Sequence, residues 1–478
     1  MKKGKKDICL ILITIYILIQ PIIDVMTSIC VRYINNTITV GIIVRIVFLI
    51  AIAIYAIISA KPKEKIEILI YYAIISIYCI AFLLNIRANY ETKIAIMQVK
   101  YLLKTFFQPV VLVALLVILK NKQINNKYII HTLLGYVFII IITYIMGIGF
   151  DSYADGSAFG KNGLFYAANE IGTIICILLP YLAMALLDKN TLNNDKINYY
   201  IYIFTLICSI FAALTMGTKV PFIGMIAILL VSVCVCIINI IKRKDVKQYT
   251  YQAVIGIIIM VFMFSILGYT PVGKNLQVLT SKISKFFGIN NTVEIGNTEN
   301  WNNSVISNNT TTDNTSIVNT ATNNTVEIDN TKNDSLSNIV TSNRQQFLEI
   351  NGEIYKKAKI TDKLLGMGYT EVNDGEVKER KLVEIDYYDI LYSNGMIGLS
   401  IQFLPLVIST IYILVNLLKN INMLFKNETI FRLYMVLITL LVAKLSGHVF
   451  CAPSVSFYLS LEISQFILFL KQSEKLNG

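Results

Sequence analysis

Runs of about twenty apolar residues follow one another along almost the whole chain, and this pattern restricts the fold more than any other feature. A helix of that length crosses roughly 30 Å of hydrocarbon. With 55% hydrophobic residues, 15% charged residues and a mean hydropathy of +0.63, the chain is too apolar for a water-soluble domain. We therefore predict an all-α polytopic membrane protein with about twelve transmembrane helices, near residues 8–31, 38–60, 66–86, 101–119, 128–149, 164–187, 198–216, 219–241, 251–270, 390–417, 430–450 and 454–471.

Lysine and arginine residues gather in alternate connections between these runs, in residues 2–6, 61–65, 120–127, 242–247 and 419–432. Basic residues beside short loops are retained on the cytoplasmic side of a membrane during insertion. The pattern predicts a multi-pass protein of the cell membrane with both termini in the cytoplasm. It also explains much of the net charge of +12. Because the basic residues are scattered over many loops, we expect no nucleic-acid partner.

One long polar insert interrupts the apolar pattern and divides the chain into three parts. Residues 1–270 form a transmembrane bundle of spans one to nine, 271–389 form one large extracytoplasmic loop between spans nine and ten, and 390–478 contain spans ten to twelve. Within the loop, residues 290–343 form an Asn/Thr-rich tract that we predict to be disordered, because it has too few large apolar side chains to bury. Residues 344–389 regain an amphipathic pattern and are the predicted functional part.

Three basic residues near the predicted outer face are candidates for binding an anionic ligand. Arg344 opens the amphipathic segment, Lys219 lies in the short connection between spans seven and eight, and Arg45 lies in span two. Ionisable residues within spans are rare and mark sites by default, although such side chains also snorkel to the interface. For Arg45, a purely structural ion pair with Asp24 is the alternative. A basic ring at this depth suits a diphosphate whose lipid tail stays in the bilayer.

Acidic and amide side chains near the same face form a second set of candidates. Glu384, Asp386 and Asp389 are three carboxylates within six positions before span ten. One of them can act as a general base, but acids at a helix N-terminus also simply stabilise the helix dipole. Asn169 and Glu170 fall in the outer half of span six, where polar groups must be hydrogen-bonded or face a water-filled cavity.

Glycines flank the acidic segment on both sides. Gly366 and Gly368 precede it, and Gly395 and Gly398 follow it at the start of span ten. Small residues at these positions let the backbone approach a ligand or a neighbouring helix closely. The chain has eight cysteines and two histidines without zinc-like spacing, so the sequence predicts no metal site and no cofactor.

Taken together, these segments resemble the O-antigen polymerase and O-antigen ligase superfamily. The topology with one large late exterior loop agrees, and the motifs have the family's order and sidedness. The clear resemblance covers residues 160–225 and 344–400. The small–Asn motif of span six consists of Ala168, Asn169, Glu170 and Gly172. The turn before span eight contains Thr218 and Lys219, where the family usually has Arg, and Arg344 opens the late exterior helix. The glycine elements are Gly366, Gly368, Gly395 and Gly398.

The resemblance implies a metal-independent membrane glycosyltransferase that acts at the outer face. Its donor would be a glycan on undecaprenyl diphosphate, and its acceptor would be a hydroxyl of another lipid-linked glycan or of the cell surface. By position, Lys219 and Arg344 would hold the diphosphate, with Arg45 as a further basic candidate. Many members carry a His eleven residues before the first glycine of span ten. Here that position is Glu384, so the base is either Glu384 or Asp386.

The leading hypothesis is polymerisation of lipid-linked polysaccharide repeat units, because the segment before span ten looks like that of low-GC Gram-positive members. A ligase that transfers glycan to another acceptor performs almost the same reaction. From a different class, a lipid-linked oligosaccharide flippase or another transporter also fits the number of spans. No repeat of halves is visible, however, and the polar residues cluster outward. A chain-length regulator and a flippase of the same pathway are candidate partners.

Overall fold

The computed structural model describes residues 8–34, 39–87, 92–153, 158–188, 195–286, 344–373 and 376–477. The Asn/Thr-rich tract of residues 290–343, which we predicted to be disordered, lies outside these residues. The chain divides into two units, one containing Met1–Leu276 and Phe347–Gly478 and the other containing Gln277–Gln346. All contacts described below lie within the first unit.

The described residues form long α-helices joined by short turns, together with one small hairpin of strands β1 (Thr370–Asn373) and β2 (Glu376–Glu379). The two strands pair antiparallel. Apart from this hairpin, the described elements are helical, which confirms the predicted all-α polytopic class. In chain order the helices are α1 (Ile8–Ile29), α2 (Val40–Ser59), α3 (Pro62–Arg87), α4 (Thr92–Ile118), α5 (Asn126–Ile145), α6 (Ala168–Leu187), α7 (Lys196–Thr215), α8 (Lys219–Ile241), α9 (Val246–Ile266), α10 (Pro271–Phe286), α11 (Arg344–Lys357), α12 (Ile360–Leu365), α13 (Asp386–Lys419), α14 (Asn427–Leu445) and α15 (Pro453–Asn477).

Eleven of the described helices are long and apolar enough to cross a membrane. The sequence predicted about twelve transmembrane helices. The additional predicted helix is α14. This helix carries Glu428, Arg432 and Lys444 among its 19 residues, so its mean apolar character is lower. Its length of about 28 Å is nevertheless close to the thickness of the hydrocarbon core.

Hydrogen bonds between helix ends define two faces of the bundle. At one face, which we call the hairpin face, Gln98 near the start of α4 donates to Thr370 of β1 at 2.9 Å. At the opposite face, Asn239 near the end of α8 donates to Asn427 at the start of α14 at 2.8 Å. The turn after α14 is bound by Asp386 at the hairpin face. The helix α14 therefore runs from one face to the other.

The last described helix, α15, occupies the centre of the bundle. Within its most apolar window 94% of the residues are buried, against 17% for α2 and for the helix that contains α9. The helix packs against α4, α6, α13 and α14. Serines at every fourth position, Ser456, Ser460 and Ser464, let α4 approach closely, and Ser460 donates to the carbonyl of Gln108 at 3.3 Å.

A buried ion-pair network joins α14, α15 and α6. Arg432 is fully buried and donates from Nη1 to both carboxylate oxygens of Glu462, at 2.9 and 3.1 Å. It also donates from Nη2 to Glu428 at 2.9 Å, and the phenol of Tyr181 donates to Glu462. Charges inside hydrocarbon persist only when they are paired and hydrogen-bonded. The network therefore fixes α15 against its neighbours.

Replacing Glu462 by Gln should lower the free energy of unfolding by about 3 kcal/mol or more, because it leaves a buried guanidinium with one carboxylate fewer. Thermal denaturation of the purified protein in detergent measures the change. The matched control is Glu353→Gln, which breaks an ion pair with Lys356 whose side chains are 59% and 73% exposed. The control should leave the melting temperature unchanged. Equal shifts for the two variants would contradict the structural role of Glu462.

Candidate functional site

A pocket with three basic side chains lies between α2, α4 and the start of α15, near the hairpin face. Lys100 and Lys104 are four residues apart on α4, so they project from the same side of that helix. Arg45 projects from α2 on the facing wall. The remaining wall of the pocket is apolar and is formed by Ile42, Ile46, Leu49, Leu103, Phe107 and Pro453.

An ion pair with Asp24 on α1 holds Arg45 at this pocket. The Nη2 of Arg45 donates to Asp24 Oδ1, and the second oxygen of Asp24 accepts a hydrogen bond from the phenol of Tyr136 at 2.6 Å. The structural bridge considered from the sequence is therefore present. The Nε of Arg45 is buried and lacks a hydrogen-bond partner within the part of the chain that the structure describes. The bridge thus satisfies only part of the guanidinium.

The carboxylate of Glu170 offsets part of the positive charge of the basic side chains at the pocket. It lies in the first turn of α6, where an acidic side chain also stabilises the helix dipole. The carboxylate interacts electrostatically with Arg45, Lys104 and Asp24, and it accepts a hydrogen bond from Ser454 at 3.0 Å. Among the described residues, the three basic side chains of the pocket outnumber the nearby carboxylates of Asp24 and Glu170.

Lys219 begins α8, which packs against another side of α6. A Cβ atom added to Gly172 would lie 2.8 Å from the ring of Pro221, so the start of α8 contacts α6 at Gly172. Glu170 and Gly172 are about 200° apart around the helix, and Glu170 is on the side that contacts Ser454 at the start of α15. Asn169 is partly buried in the same turn. The start of α8 and the cationic pocket therefore adjoin α6 on different sides.

Arg344 is the first residue of α11, in agreement with its predicted place at the start of a helix after the polar tract. It belongs to the second unit of the chain, whereas the pocket belongs to the first unit. Its role in binding a phosphate stays a prediction.

The α14–α15 turn, residues 446–454, connects the pocket with the start of α13. Asp386, the first residue of α13, accepts hydrogen bonds from the backbone N–H groups of His448, Val449 and Phe450, at 2.8, 2.7 and 2.9 Å. At the other end of the turn, Pro453 lines the pocket. One carboxylate therefore positions a segment that borders the cationic site.

These contacts argue against Asp386 as the general base. The side chain is buried, and backbone donors occupy both of its oxygens. Asp389, one turn further along α13, accepts from the backbone N–H groups of Val383 and Glu384 at 2.7 and 2.9 Å. Both aspartates anchor backbone outside the helix that they begin, which is a structural role other than the stabilisation of the helix dipole considered from the sequence. Glu384 is therefore the better candidate of the two proposed bases.

Glu384 lies just before α13 in a backbone conformation that is uncommon for a side chain with a Cβ. Its φ is 64°, and that of His448 on the facing turn is 60°. A Cβ atom on Gly447 would lie 2.6 Å from the carbonyl oxygen of Glu384, so the two segments are in contact. Strained residues of this kind concentrate at functional sites. The Glu384 side chain is 36% exposed and lies 4.0 Å from the ammonium of Lys381.

The flanking glycines join the loop to α13. Gly395 has a φ of 65° inside α13, and a Cβ atom there would collide with the backbone of α12 and of Gly366. The N–H of Gly368 donates to a backbone carbonyl of α13 at 3.0 Å. Gly398 leaves room for the phenol of Tyr78. The sequence left open whether these glycines allow the close approach of a ligand or of a neighbouring helix. In the structure they allow the close approach of a neighbouring helix.

Tyr369, directly after the Gly366–Gly368 element, links this loop to the pocket. Its hydroxyl forms hydrogen bonds of 2.8 Å with Thr105 of α4 and with Asn394 of α13. Its ring stacks on Tyr101 with the centroids 4.4 Å apart, and the Lys104 ammonium lies 5.2 Å from the Tyr101 ring. Burial raises the pKa of the Tyr369 phenol well above its ordinary value, so the hydroxyl stays protonated.

The sequence interpretation missed Lys100 and Lys104. It began span four at residue 101, whereas α4 begins at Thr92 and contains both lysines. Two lysines four residues apart at the edge of an apolar run were the signal for one cationic surface. The α14–α15 turn was also missed, because its place depends on a carboxylate 62 residues earlier in the chain.

Among the described residues, no group of three or more His, Cys, Asp or Glu side chains could hold a metal ion. The cysteines are free thiols, including Cys30 and Cys451. Burial raises the pKa of the Cys451 thiol, which disfavours a thiolate there. The chemical resources of this site are therefore cations, carboxylates and hydroxyl groups.

We predict that Asp386→Asn lowers the free energy of unfolding by about 1–3 kcal/mol, because an amide has one acceptor oxygen for three backbone donors. The α14–α15 turn should also become more accessible to protease. Both effects are measured on the purified protein by thermal denaturation and limited proteolysis. Glu384→Gln is the comparison and should change neither. Unchanged stability and proteolysis in Asp386→Asn would show that the turn does not depend on this carboxylate.

Comparison with known proteins agrees with this architecture. The model of the O-antigen ligase like membrane protein family matches residues 6–473, nearly the whole chain. A search of curated proteins finds no match. The extent of the family match and the polytopic helical bundle show that this chain belongs to the O-antigen ligase-like membrane proteins, whose role is the transfer of glycans at a membrane.

Proposed function

We propose that this protein polymerises lipid-linked polysaccharide repeat units at the outer face of the cytoplasmic membrane, by glycosyl transfer from an undecaprenyl-diphosphate-linked donor. The observation that supports the proposal most is the cationic pocket of Arg45, Lys100 and Lys104 beside the turn that contacts Glu384. The family supports glycan transfer by either a polymerase or a ligase. The choice of polymerase rests on the resemblance of the segment before α13.

The lining of the pocket suits a diphosphate on a prenyl chain. Arginine binds phosphate oxygens in a bidentate manner, and lysine binds them as a point charge. The rest of the wall is apolar, and α2, which forms one side of the pocket, is only 17% buried within the protein. A lipid tail can therefore leave the pocket on the α2 side and remain in the bilayer while its head meets the cations.

In the proposed reaction, a hydroxyl oxygen of the acceptor glycan attacks the anomeric carbon of the donor. The bond between that carbon and the diphosphate oxygen breaks, and the diphosphate leaves with its bonding electron pair. Glu384 accepts the hydroxyl proton, and the cations stabilise the charge that develops on the leaving group. The diphosphate linkage is itself the activated bond, so the reaction requires no nucleotide. The family resemblance supports Lys219 and Arg344 as further proposed contacts of the diphosphate; Lys219 does not line this pocket.

The proposed orientation places the hairpin face outside. The connections at the opposite face include the basic turns at residues 61–65, 120–127 and 242–247, which are retained in the cytoplasm during insertion. With α14 counted as a span, both termini lie in the cytoplasm. The three proposed parts keep their bounds: residues 1–270 as the first set of spans, 271–389 as the extracytoplasmic loop and 390–478 as the last spans.

Two alternatives remain distinguishable from polymerisation. A ligase would use the same donor with a different acceptor, so the two are separated by the product. A flippase would need a polar site near the bilayer midplane that opens to each face in turn. The cationic pocket lies near one end of the bundle, beside the first turns of α6 and α15, which favours transfer over transport. A flippase and a chain-length regulator are then separate partners of the pathway.

Lys104→Met should lower the rate of glycan transfer about a hundredfold or more, because it removes a cation from the leaving diphosphate. Lys104→Arg should restore much of the rate. The assay uses protein in lipid nanodiscs with lipid-linked repeat units and follows the polymer ladder. The control is Lys444→Met, which removes an exposed lysine at the end of α14. A full rate for Lys104→Met would contradict the proposed donor site.

Glu384→Gln should lower the rate by about a hundred- to ten-thousandfold, because an amide cannot accept the acceptor proton. Donor binding, measured with the same nanodiscs and no acceptor, should be unchanged. Asp386→Asn, assayed at a temperature at which it remains folded, should lose less activity than Glu384→Gln. The reverse order would assign the base to Asp386.

A further inference from the structure

A cluster of aromatic rings around one guanidinium lies at the hairpin face, outside the cationic pocket. Arg32 follows α1, with its guanidinium carbon 4.3 Å from the ring centroid of Phe150 and 5.7 Å from that of Tyr166. The ring of Tyr33 lies 6.2 Å from that of Phe150. Three separate segments of the chain therefore bring their rings together around Arg32.

Backbone pairing positions Phe150 within this cluster. Phe150 donates its N–H to the carbonyl of Gly163 at 2.6 Å and accepts from the N–H of Asn162 at 3.0 Å. Beside this pairing, Lys161 and Asp151 form a salt bridge of 2.6 Å between partly exposed side chains. The backbone of Phe150 is thus held by hydrogen bonds of the loop, and charged hydrogen-bonding groups lie beside it.

Two of the rings are mainly exposed. Tyr33 is 73% exposed and Tyr166 is 57% exposed. An exposed set of aromatic rings with Arg, Lys and Asp side chains beside it has the groups that bind a sugar ring. The C–H face of a pyranose stacks on an aromatic ring, while its hydroxyls bond to the charged groups.

The position of Tyr166 relates the cluster to the donor pocket. Tyr166 precedes Glu170 by four residues, and four residues span at most about 14 Å. Glu170 interacts with Arg45 and Lys104 of the pocket. A short oligosaccharide attached to a diphosphate in the pocket is long enough to reach the aromatic cluster.

We propose that Arg32, Tyr33, Phe150 and Tyr166 bind the saccharide chain of the lipid-linked substrate by stacking on its sugar rings. The proposal rests on the proposed function and adds a glycan subsite to it. Retention of the chain at this subsite favours further transfers before release, so the subsite increases the length of the product.

The test compares Tyr166→Leu with Tyr166→Phe in the full-length protein in nanodiscs. Leucine keeps an apolar side chain but removes the ring, whereas phenylalanine keeps the ring. The probe is the repeat-unit oligosaccharide released from lipid and phosphate by mild acid, and its dissociation constant is measured by saturation-transfer NMR. Tyr166→Leu should weaken binding about two- to tenfold and shorten the polymer, and Tyr166→Phe should resemble the wild type.

Tyr269→Leu is the matched control, because Tyr269 is 87% exposed and follows α9 outside the cluster. Similar effects of Tyr166→Leu and Tyr269→Leu would show only interfacial anchoring and would overturn the subsite.

Tyr33→Leu provides a second variant if Tyr166→Leu does not fold. Wild-type protein that makes no polymer but binds the oligosaccharide through Tyr166 would refute the polymerase and leave the subsite standing. Active protein with unchanged binding in both cluster variants would refute the subsite alone.

Discussion

The hydrogen bonds from three consecutive backbone N–H groups to Asp386 are the constraint on which the arrangement of the site depends. Val449 and Phe450 of the α14–α15 turn are fully buried, and buried backbone N–H groups must find acceptors. Asp386 supplies these acceptors and joins the turn before α15 to the start of α13. The same turn contacts the strained backbone of Glu384 and ends at the wall of the cationic pocket. The proposed proton acceptor and the proposed anion site are therefore held by one connection.

Two charged clusters within the bundle differ in the ratio of basic to acidic side chains. Arg432 is paired with Glu462 and Glu428, so its single positive charge is fully compensated and its role is to hold helices together. In the pocket near the hairpin face, Arg45, Lys100 and Lys104 exceed the carboxylates of Asp24 and Glu170. An uncompensated cation in a membrane protein is costly unless an anion or water meets it. The excess of basic side chains is the feature that supports the proposed binding of an anion at this pocket.

The periodicity of apolar residues was sufficient to predict the class of fold, because the thickness of hydrocarbon determines the length of each span. The periodicity was less reliable for α14, because three charged residues lower the mean hydropathy of this helix. The contacts of α14 nevertheless show that it crosses the bundle. The Asp24–Arg45 pair could be considered from the sequence because both residues are rare inside spans. The function of Asp386 could not be predicted from the sequence. An acidic residue at the start of a helix gives the same sequence pattern whether it accepts a proton or binds backbone N–H groups. Only the approach of residues 448–450 distinguishes the two.

The central position of α15 affects how the protein is assembled in the cell. Every other described helix precedes α15 in the chain, and α4, α6, α13 and α14 surround it. During synthesis these helices enter the membrane before the member that fills the space between them. Until α15 is synthesised, these helices lack the helix that packs between them, and Arg432 lacks the carboxylate of Glu462. The final packing of α4, α6, α13 and α14 therefore depends on a helix that follows all four in the chain.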